Sequence, residues 1–406
     1  MASVNSAPNL GLKGQGPIWL IGLGHGATHW IAGTFYVLLP FLTKDLGLSY
    51  TEAGLLVSVF HVSSFVANFG SGALVDMTGR KVVFQVLSLA IGAGALAAFG
   101  FTGLYLVLCA MVALIGATNN LWHPPAIAFL SERFPANRGY TLSIHATGAS
   151  VGDMLAPLAT GALLGWMTWQ GAAIAGALPV FAVSAILLVS LLPQDRVKRS
   201  AGSKAIGLRA YRDGMVALLR RRAVLGLCLM AALRSMAQAG LLMFLPLYLT
   251  NVLKVEPVVM GAAVMGMHLG GVIVSPIAGV LSDRVGRRPV VMAGLAGTTV
   301  LIVALTFVNS PTVYVAGVSV LGFALYAVRP VIHSWMMDLT PPSIRGSATS
   351  VLFGTQAGLS IAVPVVGGAV ADAWGLTDVF YVIAAVMLMA NAMVVFLSGP
   401  EATQEA

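Results

Sequence analysis

The sequence predicts an all-α membrane protein of twelve transmembrane helices, arranged as two pseudo-symmetric six-helix halves. Three observations carry that prediction. Of the 406 residues 58% are hydrophobic and only 9% charged, against about 25% charged in soluble proteins. The apolar residues gather into runs long enough to cross a bilayer, each needing about 20 residues. The first six runs then repeat as the second six at one constant spacing.

Taken in order, the first six runs are 17–43, 52–75, 82–101, 104–131, 140–165 and 171–192. The second six are 223–250, 257–281, 289–308, 312–337, 346–371 and 376–398. Domain organisation follows: a tail at 1–16, a half at 17–192, a basic linker at 193–222, a second half at 223–398 and a tail at 399–406. The first tail has one lysine and no apolar core, so it reads as a cytoplasmic tail and not as a cleaved signal peptide.

Lys and Arg placement sets the orientation. With the N-terminus in the cytoplasm, 18 of the 22 fall on one side, nine of them in the central linker. Only Lys44 and Lys254 fall on the other, and Arg234 and Arg329 lie inside spans. The expectation is a multi-pass protein of the plasma (inner) membrane with both termini cytoplasmic. The net charge of +8 is therefore loop charge that sets topology, and no nucleic-acid partner is expected. Cys109 and Cys228 sit in apolar runs without metal-ligand spacing, which excludes a disulfide framework or a zinc-finger reading.

The internal repeat is dense. Gly54 matches Gly261, His61 matches His268, Gly79-Arg80 matches Gly286-Arg287, Pro157 matches Pro364 and Gly161 matches Gly368, every pair 207 residues apart. Parallel six-helix repeats predict a substrate site between the halves near the midplane. The strongest repeated element is Gly72-Ala-Leu-Val-Asp76-Met-Thr-Gly79-Arg80-Lys81, which returns as Gly279-Val-Leu-Ser-Asp283-Arg-Val-Gly286-Arg287-Arg288.

That element resembles the loop 2–3 signature of the major facilitator superfamily, and its second copy falls between spans 8 and 9, where the superfamily repeats it. The resemblance implies the major facilitator fold and a cytoplasmic gating latch made by Asp76, Arg80, Lys81, Asp283, Arg287 and Arg288. A narrower resemblance joins His25-Gly-Ala-Thr-His29, Trp122-His123-Pro124-Pro125-Ala126 and Gly148-Ala-Ser-Val-Gly152-Asp-Met-Leu-Ala-Pro157-Leu to the fosmidomycin-resistance group of exporters. The departures are His29, where that group tends to have Asp, and Pro125, where it has Glu. Gly148 to Gly161 also resembles the Gly/Pro-rich fifth span of drug–proton antiporters.

Titratable residues inside a span are costly and mark function by default. Arg234 lies about eleven residues into span seven, roughly 16 Å deep at ~1.5 Å per residue, with Gln238 one turn on. Arg329 lies within a turn of Tyr326 and His333. Two guanidiniums with few acids nearby call for an anion, because Arg binds carboxylate or phosphonate bidentately and stays charged. Structural pairing with Asp153 or helix carbonyls is the alternative.

Asp153 is the one carboxylate well inside a span. It is either a proton carrier with His25, or half of a standing ion pair. His29, His123 and Asn119 are candidates to line the cavity, against the alternative of ordinary helix–helix hydrogen bonds. His25 and His29 share a helix face at a metal-ligand spacing. Without a third ligand placed beside them they predict proton handling or a substrate hydrogen bond, and no metal. His61 and His268 read as duplicated packing, and His145 as a residue near the cavity mouth.

No Gly-x-x-x-x-Gly-Lys-[Ser/Thr] loop is present, so ATP hydrolysis is not expected. The intramembrane residues offer no nucleophile–base pairing or metal-hydrolase motif, so no enzyme activity is expected, and no cofactor. The expected function is secondary active, proton-coupled export of a small organic anion or drug-like molecule by alternating access. Two alternatives stay open: proton-coupled import of an organic acid, and export of a metal or metal chelate. The expected partners are that substrate, protons and the lipid bilayer. The superfamily resemblance implies a functional monomer.

Overall fold

The computed structural model describes residues 14–195, 221–340 and 345–397. The tails and most of the basic linker lie outside that range, as do the side chains of Asp76 and Arg345. Among the described residues there are α-helices and short 3-10 turns and no strand. The first seven helices are α1 (Gly16–Leu46), α2 (Tyr50–Thr78), α3 (Lys81–Phe99), α4 (Tyr105–Leu121), α5 (His123–Arg133), α6 (Arg138–Leu164) and α7 (Trp169–Ser190). The next seven are α8 (Arg222–Asn251), α9 (Pro257–Val285), α10 (Arg287–Leu305), α11 (Pro311–Asp338), α12 (Arg345–Ser360), α13 (Val363–Trp374) and α14 (Leu376–Phe396).

Two predicted spans are each divided. Span four becomes α4 and α5, parted at Trp122, because Pro124 and Pro125 bring no N–H to the ladder and occupy the first positions of α5. Span eleven becomes α12 and α13, with Pro364 early in the second piece. The twelve spans otherwise stand within a few residues of expectation. Ten of them are long and apolar enough to cross a membrane by length and composition. The two that fall short are α1 and α6, which between them carry His25, His29, His145 and Asp153.

The chain forms two compact units, residues 1–38 with 62–201, and residues 39–61 with 202–406. In the first unit α3 packs on α4 and α7. The seam that matters for function is α1 against α6. A Cβ added to Gly148 would stand 2.0 Å from the Gly22 carbonyl oxygen, and one added to Gly152 would stand 2.2 Å from that of Gly26. Glycines four apart on both helices let the two backbones touch, as small residues do in membrane helix pairs.

In the second unit α9 packs on α11, α10 on α11 and α14, and α8 on α12 and α14. This unit also takes in the first turn of α2. Asp372 on α13 accepts from the backbone N–H groups of Tyr50 and Thr51 at 2.9 Å each, and from the Thr51 hydroxyl at 2.6 Å. A carboxylate there satisfies orphan donors and complements the positive end of the helix. Further along, Ser58 Oγ donates to the Ile361 carbonyl at 2.7 Å.

Candidate functional site

Within the described helical spans, polar side chains gather in each unit. In the first unit the glycine seam brings His25 and His29 on α1 up to His145 and Asp153 on α6, and the turn at Trp122 adds His123. His25 Nδ1 donates to the His145 carbonyl at 2.7 Å, and His29 Nδ1 to Asp153 Oδ1 at 2.9 Å. His25 Nε2 lies 3.2 Å from His123 Nε2. The His145 ring stacks on that of His25 with centroids 3.8 Å apart, and its Nε2 accepts from Trp122 Nε1 at 3.3 Å. His25 and His145 are buried, whereas the side chains of His29 and Asp153 keep 25% and 32% of their exposure.

Sequence reasoning paired His25 with His29 but left His145 near a cavity mouth; it is buried in the centre of the cluster. The signal was available in the glycines at 148 and 152, three and seven residues after it. Asn119 faces α1, where its Nδ2 donates to the Thr28 carbonyl at a long 3.4 Å. Asp153 pairs with His29.

In the second unit Arg234 is 3% exposed, deep in α8. Its Nη2 donates to the Leu325 carbonyl of α11 at 2.8 Å, and its Nε is buried with no acceptor. Arg329, Tyr326 and His333, all on α11, lie within its electrostatic reach or that of its neighbours. Among the described residues neither arginine has an ion-pair partner. Tyr326 Oη and His268 Nδ1 form a 3.0 Å hydrogen bond, so His268 belongs to this polar group and is not mere packing. Gln238 sits half-buried one turn along α8 from Arg234.

The repeated loop element has different partners in its two copies. In the second, Gly286 takes φ +92°, a left-handed turn suited to glycine, between α9 and α10. Arg287 then donates to Asp283, to Ser282 Oγ at 2.7 Å and to Asp338 Oδ2 at 2.9 Å. Arg288 reaches the Val395 carbonyl at 2.5 Å. In the first copy Lys81 Nζ pairs with Glu132 Oε2 at 2.8 Å, Asp195 caps the start of α3, and Arg80 is exposed. Asp76 lies outside the described side chains.

Twelve helical spans in two repeated halves, with charged loop clusters at matching places and polar groups buried in the spans, define a polytopic membrane carrier. The chain belongs to the Major Facilitator Superfamily, whose sequence profile matches residues 19–269 and 227–406. It is 26% identical to the probable nitrate/nitrite transporter NarK2 of Mycobacterium tuberculosis over 370 residues, covering 86% of this chain and 87% of that one. It is 25% identical to the multidrug resistance protein MdtG of Dickeya zeae over 397 residues, covering 90% of each. The fold matches a bacterial homologue of the human lysosomal transporter Spinster, in an inward-facing, unoccupied conformation, with TM-score 0.81 and 15% identity over 94% of this chain and 96% of that one. It also matches the nucleoside transporter NupG, with TM-score 0.78 and 13% identity over 94% and 99%. The protein is a multi-pass membrane transporter and not an enzyme.

Proposed function

We propose that this transporter is a secondary carrier that exports a small organic anion in exchange for protons, by alternating access. The observation that supports the anion most directly is Arg234. A buried guanidinium costs several kcal/mol of desolvation unless it is paired. Arg234 has one backbone carbonyl for company and an Nε with no acceptor, and Arg329 is a second positive charge within its electrostatic reach. A carboxylate or phosphonate would supply two oxygens to the guanidinium edge, with Arg329, His333 and Gln238 close by.

Further support comes from the relatives. The first described is a nitrate/nitrite transporter by name, and nitrate is an anion. The multidrug resistance relatives favour the outward direction, since resistance requires that the inside concentration fall. The fifth span's likeness to drug–proton antiporters supports protons as the exchanged ion. Eighteen of 22 cationic residues on one side support cytoplasmic termini in the inner membrane.

The test is solute flux in proteoliposomes, with and without a pH gradient, over a panel of carboxylates, phosphonates and cationic drugs. Gradient-driven movement of a carboxylate or phosphonate is expected, with Arg234→Lys raising KM through loss of the two-point contact. The reading fails when Arg234→Ala and Arg329→Ala both leave that flux unchanged.

A further inference from the structure

We propose that the imidazoles of His25, His29 and His123 form a binding site for one divalent transition-metal ion of the zinc class, inside the first unit. One ring nitrogen from each of the three lies within 4.8 Å of the other two. The pair His25 Nε2 and His123 Nε2 is already 3.2 Å apart. Around a tetrahedral zinc with Zn–N of about 2.0–2.1 Å, neighbouring ligand nitrogens stand ~3.3 Å apart. His25 and His123 therefore hold the spacing of a ligated pair, and His29 closes by a side-chain movement.

The positions of the ring protons favour a metal independently of distance. A carbonyl and a carboxylate only accept, so His25 Nδ1 must be the donor to the His145 carbonyl, and His29 Nδ1 the donor to Asp153. In a neutral imidazole the other nitrogen, Nε2, then bears the lone pair. Metal-bound histidines almost always tether their second nitrogen to a carboxylate, a backbone carbonyl or water in this manner. Two of the three residues have that tether in place, one to each of the first two partner types. The His145 ring, itself held by the Trp122 Nε1 donor, stacks on the face of His25.

The composition of the cluster suits a cation and no anion. Four imidazoles and one carboxylate meet here. Imidazole nitrogen with a single carboxylate behind it selects zinc, copper or nickel over magnesium or calcium, which prefer oxygen. Three protein ligands leave a fourth position open, and the partial exposure of His29 and Asp153 gives an ion a way in. A closed four-ligand structural site would have neither property. The inference stands apart from the anion reading, since the arginines lie in the other unit.

The experiment is equilibrium dialysis of zinc against the purified full-length protein in detergent at pH 7.5, with zinc X-ray absorption on the loaded sample. One ion per chain is expected, in a shell of imidazole nitrogens at about 2.0–2.1 Å. His25→Ala, His29→Ala and His123→Ala should each weaken binding by at least 100-fold, while His61→Ala, outside the cluster, should not change it. Asp153→Asn keeps a hydrogen-bond acceptor for His29 and should weaken binding by about 10–100-fold; it guards against a His→Ala protein that simply fails to fold. Absence of a stoichiometric site in the wild-type protein overturns the proposal, as does zinc binding that survives the combined replacement of all three histidines. Loss of zinc binding with Arg234-dependent anion flux intact would sink this inference alone. Zinc binding beside flux that ignores Arg234 and Arg329 would sink the anion reading alone.

Discussion

The two halves share one frame and carry opposite chemistry. Stepping 207 residues from His25, His29, His145 and Asp153 leads to Ala232, Met236, Leu352 and Ser360. Stepping back from Arg234 and Arg329 leads to Ala27 and Trp122. The glycine seam follows the same division, because Gly22, Gly26, Gly148 and Gly152 correspond to Leu229, Leu233, Thr355 and Leu359. In the first half backbones touch and side chains from two helices meet at hydrogen-bond distance. In the second, α8 and α12 are linked by side chains such as Ser235 and Gln356, 2.8 Å apart. The repeat keeps the charged loop elements and the Pro157/Pro364 pair, while the interiors differ: an imidazole cluster with one carboxylate in the first half and a pair of guanidiniums in the second.

The largest expected effect is on the guanidinium side. Arg234→Ala should lower kcat/KM for the anion by about 30-fold or more, the range of ~2–5 kcal/mol found when one partner of a buried charged pair is truncated. Initial rates in proteoliposomes measure it, and an unchanged rate would remove the arginine pole from function. Next comes the seam. Gly148→Ala drives a methyl against the Gly22 carbonyl and should cost about 1–3 kcal/mol of stability, as overpacking does. Thr355→Ala, its counterpart, should stay within about 0.5 kcal/mol, so equal melting shifts for the two would break the contrast drawn here.

Asp153→Asn gives a smaller loss, confined to the first half. Zinc affinity should fall by about 10–100-fold with the anion KM unmoved, and a shift in KM instead would assign Asp153 to the substrate. The smallest effect belongs to the loop. Asp338→Asn removes one of two carboxylates from Arg287 and should change stability by no more than about 1 kcal/mol, since Asp338 is exposed and Arg287 keeps Asp283. Its effect on exchange rate, by contrast, reports on the latch, and a rate identical to wild type would leave the ion pair without a gating role.

Much of the fold was legible from the sequence, for reasons specific to membranes. Lipid forces backbone groups to satisfy one another inside each helix, so a long apolar run has one outcome. The break at Trp122 follows from the paired prolines behind it, whereas Pro157, the match of Pro364, sits inside an unbroken α6, so a lone proline did not mark the second break. The sites were less legible because side chains meet across helices, and their meeting depends on packing. His145 is 120 positions from His25 and reads as peripheral, yet the two rings are stacked. Asp153 was open to pairing with an arginine until the seam set it beside His29. His268 matches His61 and so reads as duplicated packing, whereas its hydrogen bond is to Tyr326, a position where the repeat has Asn119.

The carboxylate of Asp372 has a consequence for how the chain is made. The amide it caps at Thr51 lies 321 positions earlier. At about 5–20 residues per second, a ribosome needs roughly 16–64 s to cover that distance. Throughout that time the start of α2 waits with its backbone donors in the care of water or of an insertion factor. A nascent chain stalled before span eleven would therefore present a first half whose second helix is unfinished at one end, and assembly of this carrier is complete only when its last helices arrive.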